Sequence, residues 1–174
     1  MEQKRCVKEF YTVPFVWNKT LWVMTFALFG LWIGLSGYML YEIFTEENTS
    51  ETLVGLIILN VTMLPMMVAC EGLAPQRLEI GADKLIILRR YKSIVVHREE
   101  VKSVEPLPSA ALRMAVRTCG VGGFFGYFGH YYTPILGAFR LYATSFDNLF
   151  VIEMWNGKKI VISCSEPDKM SYFI

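Results

Sequence analysis

Two apolar segments, Leu21 to Phe44 and Leu53 to Ala69, are separated by the acidic stretch Thr45-Glu46-Glu47-Asn48-Thr49-Ser50-Glu51. The first holds 24 residues and one charge, Glu42, near its end. At about 1.5 Å per residue it reaches roughly 36 Å, longer than the ~30 Å hydrocarbon core of a bilayer. The second holds 17 residues and no charge, and reaches about 26 Å, just enough with its flanks. A core helix rarely stays apolar on every face for this long. The pattern therefore predicts a transmembrane helical hairpin; the alternative is a hairpin buried in an all-helical core. A cleaved signal peptide fits poorly, because the first run is too long and no small-x-small site follows it.

Basic residues give the orientation. Lys4, Arg5, Lys8 and Lys19 precede the first segment, the intervening loop has no Lys or Arg, and Arg77, Lys84 and Arg89 follow the second. The positive-inside rule puts both termini in the cytoplasm and the acidic loop outside, an integral inner-membrane arrangement. Asn48-Thr49-Ser50 fits a glycosylation sequon, a tripeptide frequent by chance. Phe10, Tyr11, Phe15, Trp17 and Trp22 stand where an interfacial aromatic belt would lie. In the second segment Asn60 is expected to hydrogen-bond across the hairpin, with Gly30, Gly34 and Gly37 allowing close approach. A transport role for Asn60 would need more helices than two.

From Pro75 to Ile174 there are 13 Lys or Arg and 9 Asp or Glu, a mildly basic segment of single-domain size. Cys6, Cys70, Cys119 and Cys164 are widely spaced, without C-x-x-C and without histidine at ligand spacing. That pattern predicts reduced thiols and neither zinc site nor disulfide.

Past Pro75 the hydrophobic period drops to two. Strands are expected at Arg77 to Ile80, Lys84 to Arg89, Ile94 to His97, Val101 to Pro106, Phe139 to Thr144, Asn148 to Trp155 and Lys158 to Ser163. The last two flank Asn156-Gly157, a strong hairpin signal. Ser165-Glu166-Pro167-Asp168 reads as a helix start. Between Leu107 and Gly137 no period is evident, and such long stretches in a compact domain are functional or hide an element.

Arg117-Thr118-Cys119-Gly120-Val121-Gly122-Gly123-Phe124-Phe125-Gly126-Tyr127-Phe128-Gly129, followed by Gly137-Ala138-Phe139-Arg140-Leu141-Tyr142-Ala143-Thr144, resembles the bacterial PH-like (pleckstrin-homology-like) domain families. In them a Gly-aromatic motif precedes an Arg-x-Tyr-Ala-Thr strand, and an N-terminal transmembrane hairpin is common. The resemblance covers about residues 75 to 174. It implies a two-helix transmembrane hairpin followed by an all-β PH-like barrel of about seven strands with a short C-terminal helix. The expected divisions are 1–20 (cytoplasmic N-terminal segment), 21–44 and 53–70 (transmembrane helices), 45–52 (short external loop) and 75–174 (PH-like domain). The family implies a fold more than an activity.

The Gly-aromatic stretch is the candidate ligand or partner surface: Arg113, Arg117, Gly120, Gly122, Gly123, Phe124, Phe125, Tyr127, Phe128 and Arg140. Its glycines can serve tight turns while the aromatics fill the barrel mouth. The aromatics can instead enter the headgroup region with Arg113, Arg117 and Arg140 on lipid phosphates, or form a dock for a protein. A nucleotide-phosphate loop is the weakest reading, since Gly-Lys-Ser/Thr is missing and no βαβ unit surrounds the stretch. Arg89, Arg90, Lys92 and Arg98 surround one expected β-turn, as a solvated basic face or a headgroup site. His97 and His130 are the only histidines; a Cys119–His130 pair is conceivable, but no paired carboxylates or nucleophile motif occur. The chain is thus expected to be non-catalytic and without cofactor or metal. Its expected role is to bind, as a scaffold or regulator of a membrane complex; the alternative is a sensor of anionic headgroups through Arg113, Arg117 and the Gly-aromatic stretch. The expected partners are the bilayer and a membrane or cytoplasmic protein; self-association is open, and no nucleic acid is expected.

Overall fold

A computed structural model describes residues 10–45 and 49–173. Cys6, the basic residues Lys4, Arg5 and Lys8, and Asn48 of the sequon lie outside them.

The two apolar segments are helices, α1 (Lys19–Thr45) and α2 (Ser50–Leu73). At about 1.5 Å per residue they reach roughly 40 and 36 Å. Both are long and apolar enough to cross a membrane, and only 6% of the most apolar window of each is buried. That exposure removes the buried-core alternative. Asn18 caps α1, its Oδ1 accepting from Leu21 N at 2.7 Å, which satisfies one of the free donors of the first turn. Ala74 takes an extended conformation ahead of Pro75 and ends α2. Asn60 turns back on its own helix, donating to Leu56 O at 2.9 Å, rather than bonding across the hairpin. Gly30, Gly34 and Gly37 face open space; the close approach is at Gly55, where an added Cβ would lie 2.7 Å from the Met39 methyl.

Ten strands occur among the described residues: β1 (Tyr11–Pro14), β2 (Arg77–Ile80), β3 (Lys84–Leu88), β4 (Ile94–His97), β5 (Val101–Leu107), β6 (Val116–Gly122), β7 (Tyr127–Thr133), β8 (Gly137–Ala143), β9 (Leu149–Met154) and β10 (Lys159–Ser163). They form two sheets, β1-β2-β3-β4 and β5-β9-β10-β8-β7-β6. Seven match the expected strands to within about two residues. The other three correct the expectation of seven, and the sheets do not close into a barrel. The C-terminal element is a 3-10 helix, Pro167–Tyr172, not an α-helix.

Period-two patterning places Leu78, Ile80, Leu85, Ile87 and Val96 of the four-stranded sheet against Phe128, Tyr142, Ile152, Ile160 and Ile162 of the six-stranded one. Met67 and Cys70 of α2, with Met170 and Phe173, complete this core. The opposite face of the larger sheet carries a second cluster, including Leu112, Tyr131, Phe139, Leu141, Leu149 and Val161.

The helical hairpin is an insertion within one sheet. β1 precedes α1 and pairs antiparallel with β2, which follows α2, Pro14 standing opposite Arg77. Both helix ends are fastened to the β region. At α1, Asn18 N donates to Thr144 O (3.4 Å) and Thr144 Oγ1 to Val16 O (2.9 Å). At α2, Tyr91 donates from its hydroxyl to Val68 O (3.1 Å) and from its amide to Gly72 O (3.1 Å). Arg90 pairs with Glu71 at 3.1 Å, an exposed pair worth less than about 1 kcal/mol.

Candidate functional site: a crevice beside the glycine-rich hairpin

The stretch without a sequence period is a β-hairpin, β6 and β7 joined by a turn in which Gly123 N donates to Gly126 O at 3.1 Å. Glycine makes the pairing. Gly120 and Gly129 stand opposite each other at φ of 135° and 131°. A Cβ on Gly120 would lie 2.7 Å from Gly129 Cα, and one on Gly129 would lie 2.6 Å from Gly120 Cα. Side chains cannot enter such a close approach, so the alternation that marks a strand is erased.

The tip of the hairpin docks on α1. Thr25 Oγ1 accepts from Phe125 N at 3.4 Å, and Gly123 passes so close to Met24 that a Cβ would be 2.9 Å from its sulfur. Phe124 and Phe125 meet at 4.6 Å, with Phe29 6.0 and 6.1 Å from them and Trp17 5.9 Å from Phe125. Phe124 and Phe128 are buried, and Tyr127 packs on Phe146 at 4.5 Å. These aromatics fasten the tip of the hairpin to α1, with Phe125 and Tyr127 half-buried.

The candidate arginines separate into different places. Arg117 lies on β6 opposite Tyr131, just ahead of an irregularity at Thr118 that shifts the register. Its guanidinium reaches along the strand: a Cβ on Gly122 would be 2.9 Å from Arg117 Nη1 and 3.3 Å from the Tyr131 hydroxyl. Arg113 is exposed after the 3-10 turn Ser109–Leu112. Arg140 stands opposite His130, on the face that carries Phe128 and Tyr142 and away from Arg117. Three of the four basic turn residues have internal partners. Arg89 Nε donates to Lys92 O at 2.7 Å, Arg90 pairs with Glu71, and Arg98 lies over Phe173 at 5.8 Å.

Cys119 and His130 are cross-strand neighbours, a juxtaposition that bare sequence spacing leaves open. No hydrogen bond joins thiol and imidazole among the described residues. No cluster of three metal-ligating side chains occurs among the described residues.

Two of the concavities lie beside the candidate residues. The first, about 280 Å³, is a crevice between α1, α2 and β6. Leu28, Leu31, Trp32 and Leu35 wall it on one side, Leu59, Met63, Met66 and Met67 on the other, and Gly120, Val121 and Gly122 line it at the sheet edge. Arg117 is the one charged residue lining it. Arg117 forms no ion pair among the described residues, and the buried Trp32 Nε1–H has no acceptor. The second, about 430 Å³, is a groove beside β4, where Ile94, Val95 and Val96 face Arg140, Lys158, Lys159 and His130. No sequence pattern announces this groove, because β4, β8 and β10 meet only in the fold.

Burial pushes the Tyr131 phenol above its ordinary value, while Arg117 nearby holds it down and Tyr127 pushes it further up. Tyr127 is likewise raised by burial, with a hydrogen bond to Asn18 opposing. With folded values above unfolded ones, both contribute stability that is intact below about pH 10 and lost as pH rises beyond it. Arg117→Ala is expected to move the Tyr131 titration further up, followed by tyrosinate absorbance. An unchanged or lowered value would show that the guanidinium does not lie beside this ring.

A family model described as Bacterial PH domain matches residues 76–174. No curated protein and no solved structure matches the chain. Nine of the ten strands among the described residues, β2 to β10, fall inside the matched residues, which make up more than half of the sequence; β1 and the two helices precede them. The chain belongs to the bacterial PH domain family.

Proposed function

We propose that this protein is a membrane-anchored, non-catalytic binding module that scaffolds or regulates a membrane complex by holding an extended acidic segment of a partner protein. The groove beside β4 carries this reading. β4 ends its sheet, so its outer edge offers backbone donors and acceptors to an added strand. Ile94 and Val95 supply apolar contacts there, and Arg140, Lys158 and Lys159 supply positive charge against one acidic residue, Glu100. The anchor supports the same reading. Pairing of β1 with β2 keeps the chain before α1 and after α2 on one side of a bilayer. Lys19, Arg77, Lys84 and Arg89 make the cytoplasm the favoured side. A domain held at the leaflet meets membrane partners at high effective concentration, so weak contacts suffice.

A photo-cross-linking side chain at exposed Val95, in the full chain in native membranes, tests this. The expected result is a discrete adduct that disappears in Lys158→Glu/Lys159→Glu and persists in Arg117→Gln. An adduct insensitive to the charge reversal, or none, rejects the groove as the docking site.

A further inference from the structure

We propose that the crevice between α1, α2 and β6 holds an acyl chain of an anionic phospholipid, with the phosphate on Arg117. The inference rests on the membrane-spanning part of the proposed function and is independent of the groove beside β4.

Depth is the first argument. α1 reaches roughly 40 Å against a hydrocarbon core of ~30 Å, a surplus of about 10 Å or seven residues. With its far end flush with the outer boundary, the inner boundary falls near Phe26. The hairpin tip meets α1 between Met24 and Phe29, and the Arg117 guanidinium lies beside Gly122 at the base of that tip. Arg117 therefore stands where lipid phosphates lie, and the crevice runs from it past Leu31 toward Leu35 and Leu59, into the acyl region.

Chemistry is the second. The walls are aliphatic, aromatic and thioether, and methionines adapt to a flexible chain. The volume, about 280 Å³, falls just below the roughly 300–1,000 Å³ of ligand pockets, which suits one chain and not a whole lipid. A guanidinium without an ion pair matches a phosphate in fork geometry. Gly122 keeps the guanidinium at the mouth, since any Cβ there would meet Nη1.

The full chain, purified in detergent and equilibrated with mixed micelles of phosphatidylglycerol or phosphatidylcholine, is examined by native mass spectrometry. Wild type is expected to retain one phosphatidylglycerol per chain, in preference to phosphatidylcholine by about tenfold. Arg117→Gln is expected to lose the preference and Arg117→Lys to recover part of it. Met63→Trp, which fills the crevice, is expected to lose both lipids. Equal retention of the two lipids by wild type, or retention unaffected by Arg117→Gln, overturns the proposal. Alkaline carbonate treatment of membranes separates the two failures. A chain that resists extraction yet retains no lipid overturns the crevice alone, whereas an extracted chain overturns the membrane reading and the crevice together.

Discussion

Gly129→Ala is expected to destabilise the protein by about 3 kcal/mol or more, because two penalties of roughly 1–3 kcal/mol each act together. One is conformational: Gly129 has φ of 131°, a backbone state that L side chains rarely adopt. The other is steric, since the new Cβ would be 2.6 Å from Gly120 Cα, and backbone cannot swing aside as a side chain can. Gly137→Ala is the control. Gly137 also has positive φ, 73°, but nothing lies within 4 Å of its Cβ position, so only the conformational penalty, about 1 kcal/mol, is expected there. Chemical denaturation of the two variants in the same detergent provides the comparison. Equal losses would mean that β6 and β7 do not approach closely at this pair.

Phe173→Ala is expected to cost about 3–5 kcal/mol, the usual range for removing a fully buried aromatic ring. Phe173 and Met170 are both 0% exposed and bring the 3-10 helix onto the main core. Truncation also takes away the ring beneath Arg98. A melting curve within about 1 kcal/mol of wild type would show that this end of the domain is not packed, since such a loss is ordinary for an exposed site.

The same residues explain what could be read before the structure was known. Where one face of a strand is buried, as at Leu85 and Ile87 of β3 or Ile160 and Ile162 of β10, alternation betrays the strand and its register. Asn156-Gly157 announces its turn, and the structure has Gly157 N donating to Met154 O at 2.9 Å and Lys158 N to Asn156 Oδ1 at 3.0 Å. β6 and β7 escaped because their pairing depends on glycines, which carry no hydrophobic pattern. β1 escaped because four residues, Tyr-Thr-Val-Pro, are too few for a period and find their partner only 60 or so residues later. The candidate site was legible in part. Arg117, Gly120, Gly122 and Phe124 do line one crevice, but its opposite walls come from the helices, whose apolar residues looked purely like anchor. Arg117 and Arg140 belong to one expected phosphate-contacting set, yet the pleat of the sheet sends the two to opposite faces.

The pairing of β1 with β2 makes the sheet sensitive to the parity of membrane crossings. A chain in which only one helix traverses the bilayer has β1 and β2 in different compartments. Its four-stranded sheet then lacks an edge strand, and Leu78 and Ile80, now 1% and 0% exposed, lose the cover that Val13 and its neighbours give. A chain in which both helices cross can complete the sheet, and completion fastens Pro14 opposite Arg77. On the membrane-anchored reading proposed above, completion of this sheet would therefore depend on both helices having crossed.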